Sequence, residues 1–464
     1  MIKTRFAPSP TGFIHIGNAR TALFSALLGM REGSQFLLRI EDTDRDRSRD
    51  EFVNALQEDM WWLELKWHEG PAVGGDHGPY HQSEREPIYE KHIAHLHEKG
   101  SVYPCFCSES ELSIARKIQL SSGHPPRYSG KCAKLTPEAI QQKISQGIKP
   151  TLRFRVPVDA IVEFDDLVRG KQTFKTNDIG DFIIRRGDNS TAFFFSNAVD
   201  DADMGVTHVL RGEDHLTNTP RQIMLLNALG LRVPLYGHIS LIVGNDGSPL
   251  SKRHGSRSIR ELRAEGYLPL AVVNYLGRLG HYYESDDLMS VQTLAAVFDV
   301  TRLGKSPARY DAHQLLHWQQ RALAASTVED LWEWMGPAVQ ALVPEARAQE
   351  FVHIIRGNVS FPAQAERWAR IIFHDPLTLD DNAVETVAQA GHQFFQQANL
   401  AAHLHPANFK EFAEEVKKHT GAKGKALFMP LRAALTGELG GPEMAQIMVL
   451  MGPERVKQRL HACL

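Results

Sequence analysis

The first forty residues constrain the fold more than any other stretch. Lys3 to Ala7 has the composition of a short strand and Pro8 to Phe13 that of a turn, while Asn18 to Met30 places Ala22, Leu23, Ala26 and Leu27 at helical spacing. Gly33 stops that helix, and Phe36 to Ile40 forms a second strand, apolar apart from Arg39. Strand, helix and strand in so short a span make the crossover unit that builds a parallel sheet. The expected fold class is therefore α/β, with a doubly wound nucleotide-binding domain opening the chain.

One domain is not enough for the length. The chain has 464 residues, about three times the ~150-residue domain norm, so more than one core is expected. With 42% hydrophobic and 23% charged residues the composition is ordinary globular, which excludes a disordered or fibrous chain. The net charge of -3 points to no partner in bulk, yet a polyanion binder remains allowed if its cations gather on one face. No apolar run approaches the ~20 residues that span a bilayer, and Pro8 and Pro10 interrupt the N-terminus before a signal-type stretch forms. A cytoplasmic protein with no membrane partner is expected.

Further along, amphipathic helical patterns at Asp50 to Leu63 and Glu86 to Lys99 precede a cysteine-bearing segment that starts at Val102 and reads as an insertion. Thr151 to Val156 and Phe182 to Arg186 alternate like strands. Phe193 to Val199 and Val206 to Arg211 have buried-strand composition, so the first sheet is expected to resume there. From Ser326 onward the pattern is helical, broken at Gly440, Gly441 and Pro442, which marks a separate helical module. The expected division is 1–104 and 191–240 for the two halves of the first domain, 105–190 for the insertion, 241–325 for a further domain and 326–464 for a helical region of two subdomains.

Three segments carry chemistry. Arg5 to Asn18 lies where strand turns into helix; a helix start presents unpaired N–H groups and a positive dipole end, His15 can donate to a phosphate oxygen, and Gly17 permits close approach. The competing reading is a loop histidine beside a helix-capping Asn18. Asn245 to Gly255 is a polar loop with Ser251, Lys252 and Arg253, and a loop lysine suits charge developing on a leaving pyrophosphate; taken alone it would pass for a solvated loop. Finally, three of the four cysteines, Cys105, Cys107 and Cys132, are close in sequence and supply three tetrahedral metal positions. His124, Tyr128 or a histidine from outside could complete the set, and buried apolar thiols are the alternative.

The pair of loops resembles the HIGH and KMSKS signatures of class I aminoacyl-tRNA synthetases. The flanking segments are similar to the bacterial glutamyl-tRNA synthetases: Arg5 to Gly12, Arg39 to Asp44, Gln82 to Arg85, Tyr103 to Cys107, Val209 to Asp214, Leu250 to Gly255, Lys305 to Arg309 and Gly424 to Arg432. The similarity runs in order through the whole chain. It implies a Rossmann-like catalytic domain, ATP with Mg2+, L-glutamate and tRNA as ligands, a glutamyl-adenylate intermediate and a monomer.

By this resemblance His15, Gly17 and Lys252 are catalytic, and His15, Gly17, Asn18, Ser251, Lys252 and Arg253 bind ATP. Arg5 and Asn197 lie near the substrate side-chain carboxylate, Ser9 and Glu41 near its ammonium, and Ala7, Phe193 and Arg211 in the same site. The chemistry agrees, since glutamate needs at least two cations or strong donors and one anion. Relatives with the same Tyr-x3-Cys spacing use the phenolate, so Cys105, Cys107, Tyr128 and Cys132 are the expected ligands of a structural Zn2+; Lys134 stands where others carry a histidine. Three departures stand out: Pro249 in place of a lysine, Asn18 in place of a histidine and Phe193 in place of a tyrosine.

Basic clusters at Lys252 to Arg263 and Lys417 to Lys425 fit a long polyanion touched at separate points. The resemblance assigns 105–190 to the tRNA acceptor end, 241–325 to the stem and 326–464 to the anticodon, for the glutamate isoacceptor with or without the glutamine isoacceptor. Three rivals are weaker. Glutaminyl enzymes carry barrel-like anticodon modules, the paralogue that glutamylates a modified base lacks the anticodon module, and a silent tRNA-binding protein would not need His15, Gly17, Ser251 and Lys252.

Overall fold

The computed structural model describes residues 1–43, 48–123, 125–250 and 256–464. Asp44, His124 and the loop residues Ser251 to Gly255, Lys252 and Arg253 among them, therefore lie outside the described residues. The chain forms two compact units, one of residues 1–262 with 272–312, the other of residues 263–271 with 313–464.

In the first unit β1 (Lys3–Phe6), α1 (Ile16–Gly29) and β2 (Gln35–Leu38) make the opening crossover. Two helices, α2 (Asp50–Trp62) and α3 (Glu86–Glu98), lead to an inserted region. It comprises β3 (Val102–Cys105), α4 (Glu109–Ser121), α5 (Pro137–Ser145), β4 (Thr151–Phe154), β5 (Ile161–Asp166), β6 (Gly170–Lys175), the single turn α6 (Thr176–Ile179) and β7 (Phe182–Arg185). Then α7 (Phe193–Asp203), β8 (His208–Gly212), α8 (Thr219–Leu229) and β9 (Leu235–Ile239) return to the first sheet. That sheet has the order β2-β1-β8-β9 and is parallel throughout. The insertion carries an antiparallel β3-β4-β7 sheet and the hairpin β5-β6, and β10 (Ile242–Val243) pairs in parallel with β11 (Ala308–Arg309).

Why α1 forms is plain from its packing: Ala22, Leu23, Phe24, Ala26 and Leu27 are all fully buried, so nearly its whole circumference is covered and not one stripe. The helix begins at Ile16, two residues before the expected start, because His15 takes the extended N-cap conformation. One expectation is corrected. Phe193 to Val199 is not a strand but the first two turns of α7. A continuous apolar run does not fix its own period, and here Asn197, Asp200 and Asp201 decide it. Helical spacing puts all three on a buried face, where each finds a polar partner.

The second unit is helical from Ala312–Ala325 to Pro453–His461, around a core that includes Phe351, Ile355, Phe395, Phe412 and Leu431. Its earlier segment, 263–271, is tied in by Gln319, a fully buried amide that accepts from Leu268 N at 2.9 Å and donates to the Gly266 and Ser360 carbonyls, each at 3.0 Å.

Candidate active site

A cavity of about 820 Å³ opens beside the ends of β1 and β2, walled by Ser9, Thr11, Glu41, Thr43, Gln82 and Phe193 among others. The expected ammonium pair, Ser9 and Glu41, thus share one wall. Glu41 in turn anchors a buried network drawn from six elements and the turns beside them. Its Oε1 accepts from Asn197 Nδ2 at 2.6 Å and from Arg39 Nη2 at 3.1 Å. Asn197 Oδ1 accepts from Gln222 Nε2 at 2.7 Å, and Gln222 Oε1 accepts from Arg211 Nη2 at 2.6 Å. On the other side Asp201 accepts from Arg39 Nη1 at 2.8 Å and from Arg5 Nε at 3.1 Å, while Arg85 donates to Asp200 at 2.7 Å.

The carboxylates of this network serve three of its four guanidiniums: Arg5, Arg39 and Arg85 pair with Glu41, Asp200, Asp201 and, through Arg85, Asp203. Arg211 is the unmatched one: its hydrogen bonds go to Gln222, Thr219 and His238, and its Nη1 is buried with no hydrogen-bond partner among the described residues. Desolvation lowers its pKa to about 10, and the ring of Tyr236 lies 5.1 Å from the guanidinium. A buried cationic donor left without a partner favours an anion. Burial also pushes the Glu41 carboxyl above its ordinary range, against the pull of Arg39 and Asn197. Burial acts likewise on Asp201, but Arg5 and Arg39 outweigh it and hold that carboxyl low.

Of the expected pocket residues, Arg5, Asn197 and Arg211 are thus joined to Glu41 by this network, Ala7 is half-buried just past β1, and Phe193 lies on the cavity wall with its ring 5.5 Å from that of His215. The nucleotide segment is open to solvent. His15 and Asn18 are exposed, His15 makes no capping hydrogen bond from its side chain, and a Cβ placed on Gly17 would meet nothing within 4 Å. Asn18 sits in the first turn of α1 and is not its cap. The two signature segments meet through their flanks. His15 bridges to Ser258, Ile16 N donates to the Arg257 carbonyl at 3.3 Å and Ile259 N to the Ile14 carbonyl at 2.8 Å.

In the insertion the Sγ atoms of Cys105, Cys107 and Cys132 all lie within 4.8 Å of one another. Tetrahedral thiolates about 2.3 Å from zinc would stand about 3.8 Å apart, and Cys107 to Cys132 measures 3.7 Å. Tyr128 Oη lies 3.4 Å from the Sγ atoms of both Cys105 and Cys107 while accepting from Cys132 N at 2.9 Å. Burial pushes the Cys105 thiol up, but hydrogen bonds from Tyr128 and Arg153 outweigh it and bring it down to about 7. The three cysteines could hold a metal ion.

Sequence reading missed Arg39, Asp201, Gln222 and His238 as parts of the site. For Arg39 the signal was present, a charge inside an otherwise apolar strand; Asp201 needed α7 to be read as a helix.

Parallel sheet, exposed helix start and anion-seeking pocket together are the layout of an adenylate-forming synthetase, and the comparisons bear on which. Residues 1–317 match the family described as tRNA synthetases class I (E and Q), catalytic domain, and residues 325–464 match an anticodon binding domain. The chain belongs to this class I family. Among its relatives, Glutamate–tRNA ligase 2 of Nitrosococcus oceani is 56% identical, over 100% of this chain and 98% of that one. Glutamate–tRNA ligase 1 of Halorhodospira halophila is 54% identical, over 99% and 96%. The crystal structure of a glutamate tRNA ligase from Elizabethkingia meningosepticum in complex with its amino acid superposes with a TM-score of 0.89 at 27% identity, covering 100% of this chain and 99% of that one. Among the described residues no helix is long and apolar enough to cross a membrane.

Proposed function

We propose that this chain ligates L-glutamate to the 3′-terminal adenosine of tRNA through a glutamyl-adenylate, using ATP with Mg2+ and acting as a cytoplasmic monomer. The observation that carries the reading is the unmatched Arg211 guanidinium with its unpaired Nη1, three hydrogen bonds away from Glu41 through Gln222 and Asn197. A substrate with a carboxylate side chain supplies the missing anion, and a neutral amide would not.

In this reading Ser9 and Glu41 take the ammonium, while Arg5, Asn197 and Arg211 take the side-chain carboxylate and Ala7 and Phe193 line the site. The free α-carboxylate attacks the α-phosphorus of ATP, forming the acyl–phosphate bond as the bond to pyrophosphate breaks. His15, Gly17 and Asn18 at the start of α1, with Ser251, Lys252 and Arg253, hold the phosphates. The tRNA 2′-hydroxyl then attacks the acyl carbon and AMP leaves. Mg2+ supplies charge neutralisation on the phosphates. Residues 105–190 engage the acceptor end, 241–325 the stem and 326–464 the anticodon. Cys105, Cys107, Tyr128 and Cys132 bind Zn2+ as a structural clamp, since none of these steps needs it.

The test is ATP–pyrophosphate exchange and charging with purified glutamate and glutamine isoacceptors. Glutamate-dependent exchange in the presence of tRNA is expected, with the glutamate isoacceptor charged; the comparison reads out whether the glutamine isoacceptor is charged as well. Lys252→Ala should lower the adenylation rate a hundredfold or more, the cost of removing one preorganised donor from a transition state, about 3 kcal/mol. Binding of tRNA without exchange would make the chain a silent tRNA binder.

A further inference from the structure

The end of β5 reaches the first sheet. Asp166 Oδ2 accepts from His238 Nδ1 at 2.5 Å, its Oδ1 accepts from Val168 N and Arg169 N at 2.9 Å and from His238 N at 3.2 Å, and Leu167 N donates to the Tyr236 carbonyl at 2.8 Å. Gly237 makes room for this turn: a Cβ there would lie 2.7 Å from Leu210 Cδ2 and 3.3 Å from Leu167 Cβ. Both members of the Asp166–His238 pair have fully buried side chains, and the mechanism above uses neither.

The far nitrogen of the imidazole faces Arg211. Arg211 Nε lies 3.2 Å from His238 Nε2, and Thr219 Oγ1 lies 3.0 Å from the same atom. A guanidinium has only donors, so Nε2 must present its lone pair, and the proton of the neutral ring must sit on Nδ1, where the acceptor-only carboxylate of Asp166 receives it. Burial, with the Arg211 charge adding to it, favours that neutral ring although Asp166 pulls the other way. The Arg211 fork is then fully assigned except at one place: Nε to His238, Nη2 to Gln222 and Thr219, and Nη1 unpaired.

We propose that Asp166 and His238 are positioning residues for substrate recognition: Asp166 fixes the His238 tautomer, and the lone pair so exposed holds Arg211 with its Nη1 turned to the carboxylate of the amino-acid substrate. This rests on the proposed pocket. It also means that a residue of the inserted region sets the geometry of the amino-acid site, through a single imidazole.

Asp166→Asn tests it with little change of shape. The amide that replaces Oδ2 is a donor, so it demands the other tautomer and sets an Nε2–H against Arg211 Nε–H. The full-length enzyme is assayed by tRNA-dependent ATP–pyrophosphate exchange. The expected result is a glutamate KM raised tenfold or more, an ATP KM changed less than twofold and a retained melting transition. His238→Gln, whose carbonyl oxygen reaches the Nε2 position, should raise the glutamate KM at least fivefold less than His238→Asn, which keeps only the donor to Asp166. Glutamate and ATP KM rising together, or Gln and Asn behaving alike, would overturn the assignment. Arg211→Ala separates the two levels. If it raises the glutamate KM while Asp166→Asn does not, the relay is wrong and the pocket stands; if Arg211→Ala leaves that KM unchanged, the pocket itself is wrong.

Discussion

Glu41 serves two opposed requirements. In the proposed pocket it must be ionised to pair with an ammonium, yet burial raises its pKa above that of an exposed glutamate, about 4.3. With the folded value raised, the ionised form costs stability at neutral pH, and that cost is relieved as pH falls through the folded value. Substrate binding runs the opposite way. Below the folded value Glu41 is neutral and the ammonium loses its partner, so the glutamate KM should rise as pH falls, starting at a higher pH than the titration of an exposed carboxylate. Steady-state exchange kinetics against pH checks this, and Glu41→Gln should abolish the step while raising the neutral-pH KM about tenfold or more. At this scale Arg5, Glu41 and Arg211 sit in the motifs that carry the resemblance, and Asn197 is joined to them by the buried network. His238 and Asp166 were not legible: they are 72 positions apart, and only the folded chain brings their side chains together.

Among the elements, the segment from α4 to α5 stands apart, because neither helix has a fully buried residue. Ile114, Ile118 and Ile144 are exposed, and the local core is little more than Tyr103, Cys105 and Cys132 with their neighbours. So small an apolar cluster supplies little folding free energy, whereas a tetrahedral metal site can supply it directly. Zinc near one equivalent per chain is therefore expected in protein purified without chelator. Chelation, or the double substitution Cys105→Ser and Cys107→Ser, should release the metal and make residues 106–150 the first site of limited proteolysis, with the melting of the helical unit unchanged. Zinc well below one equivalent, or full occupancy in the double variant, would refute the site. Here the sequence was informative because two of the cysteines are two residues apart and the third follows within one short insertion. It was uninformative at α7, where three consecutive phenylalanines suit either period and the choice is made by buried polar contacts to residues distant in sequence.

At the level of the whole molecule, spatial units and sequence segments do not coincide. The helical unit was expected to start near residue 326, but residues 263–271 belong to it as well. Besides Gln319, the tie includes Trp334 Nε1 donating to the Gly266 carbonyl at 2.8 Å and Tyr267 packed edge-on to Phe361 at 5.0 Å. A fragment of residues 313–464 should therefore be less stable than the same fragment with 263–271 joined to its N-terminus by a flexible linker. The difference should be about 1–3 kcal/mol by chemical denaturation, the cost of leaving a buried amide without two of its three partners. Equal stabilities would show that the segment contributes nothing.

The same tie orders events during synthesis. A chain made from its N-terminus releases residues 263–271 long before Gln319, Trp334 and Phe361 exist to receive them. The sheet-bearing unit has all its residues once Ala312 has emerged, so it can close around a gap in the chain while Tyr267 and Leu268 wait in water. The interval between translation of residues 271 and 361 is thus the one in which the nascent protein displays an apolar segment destined for a unit not yet made.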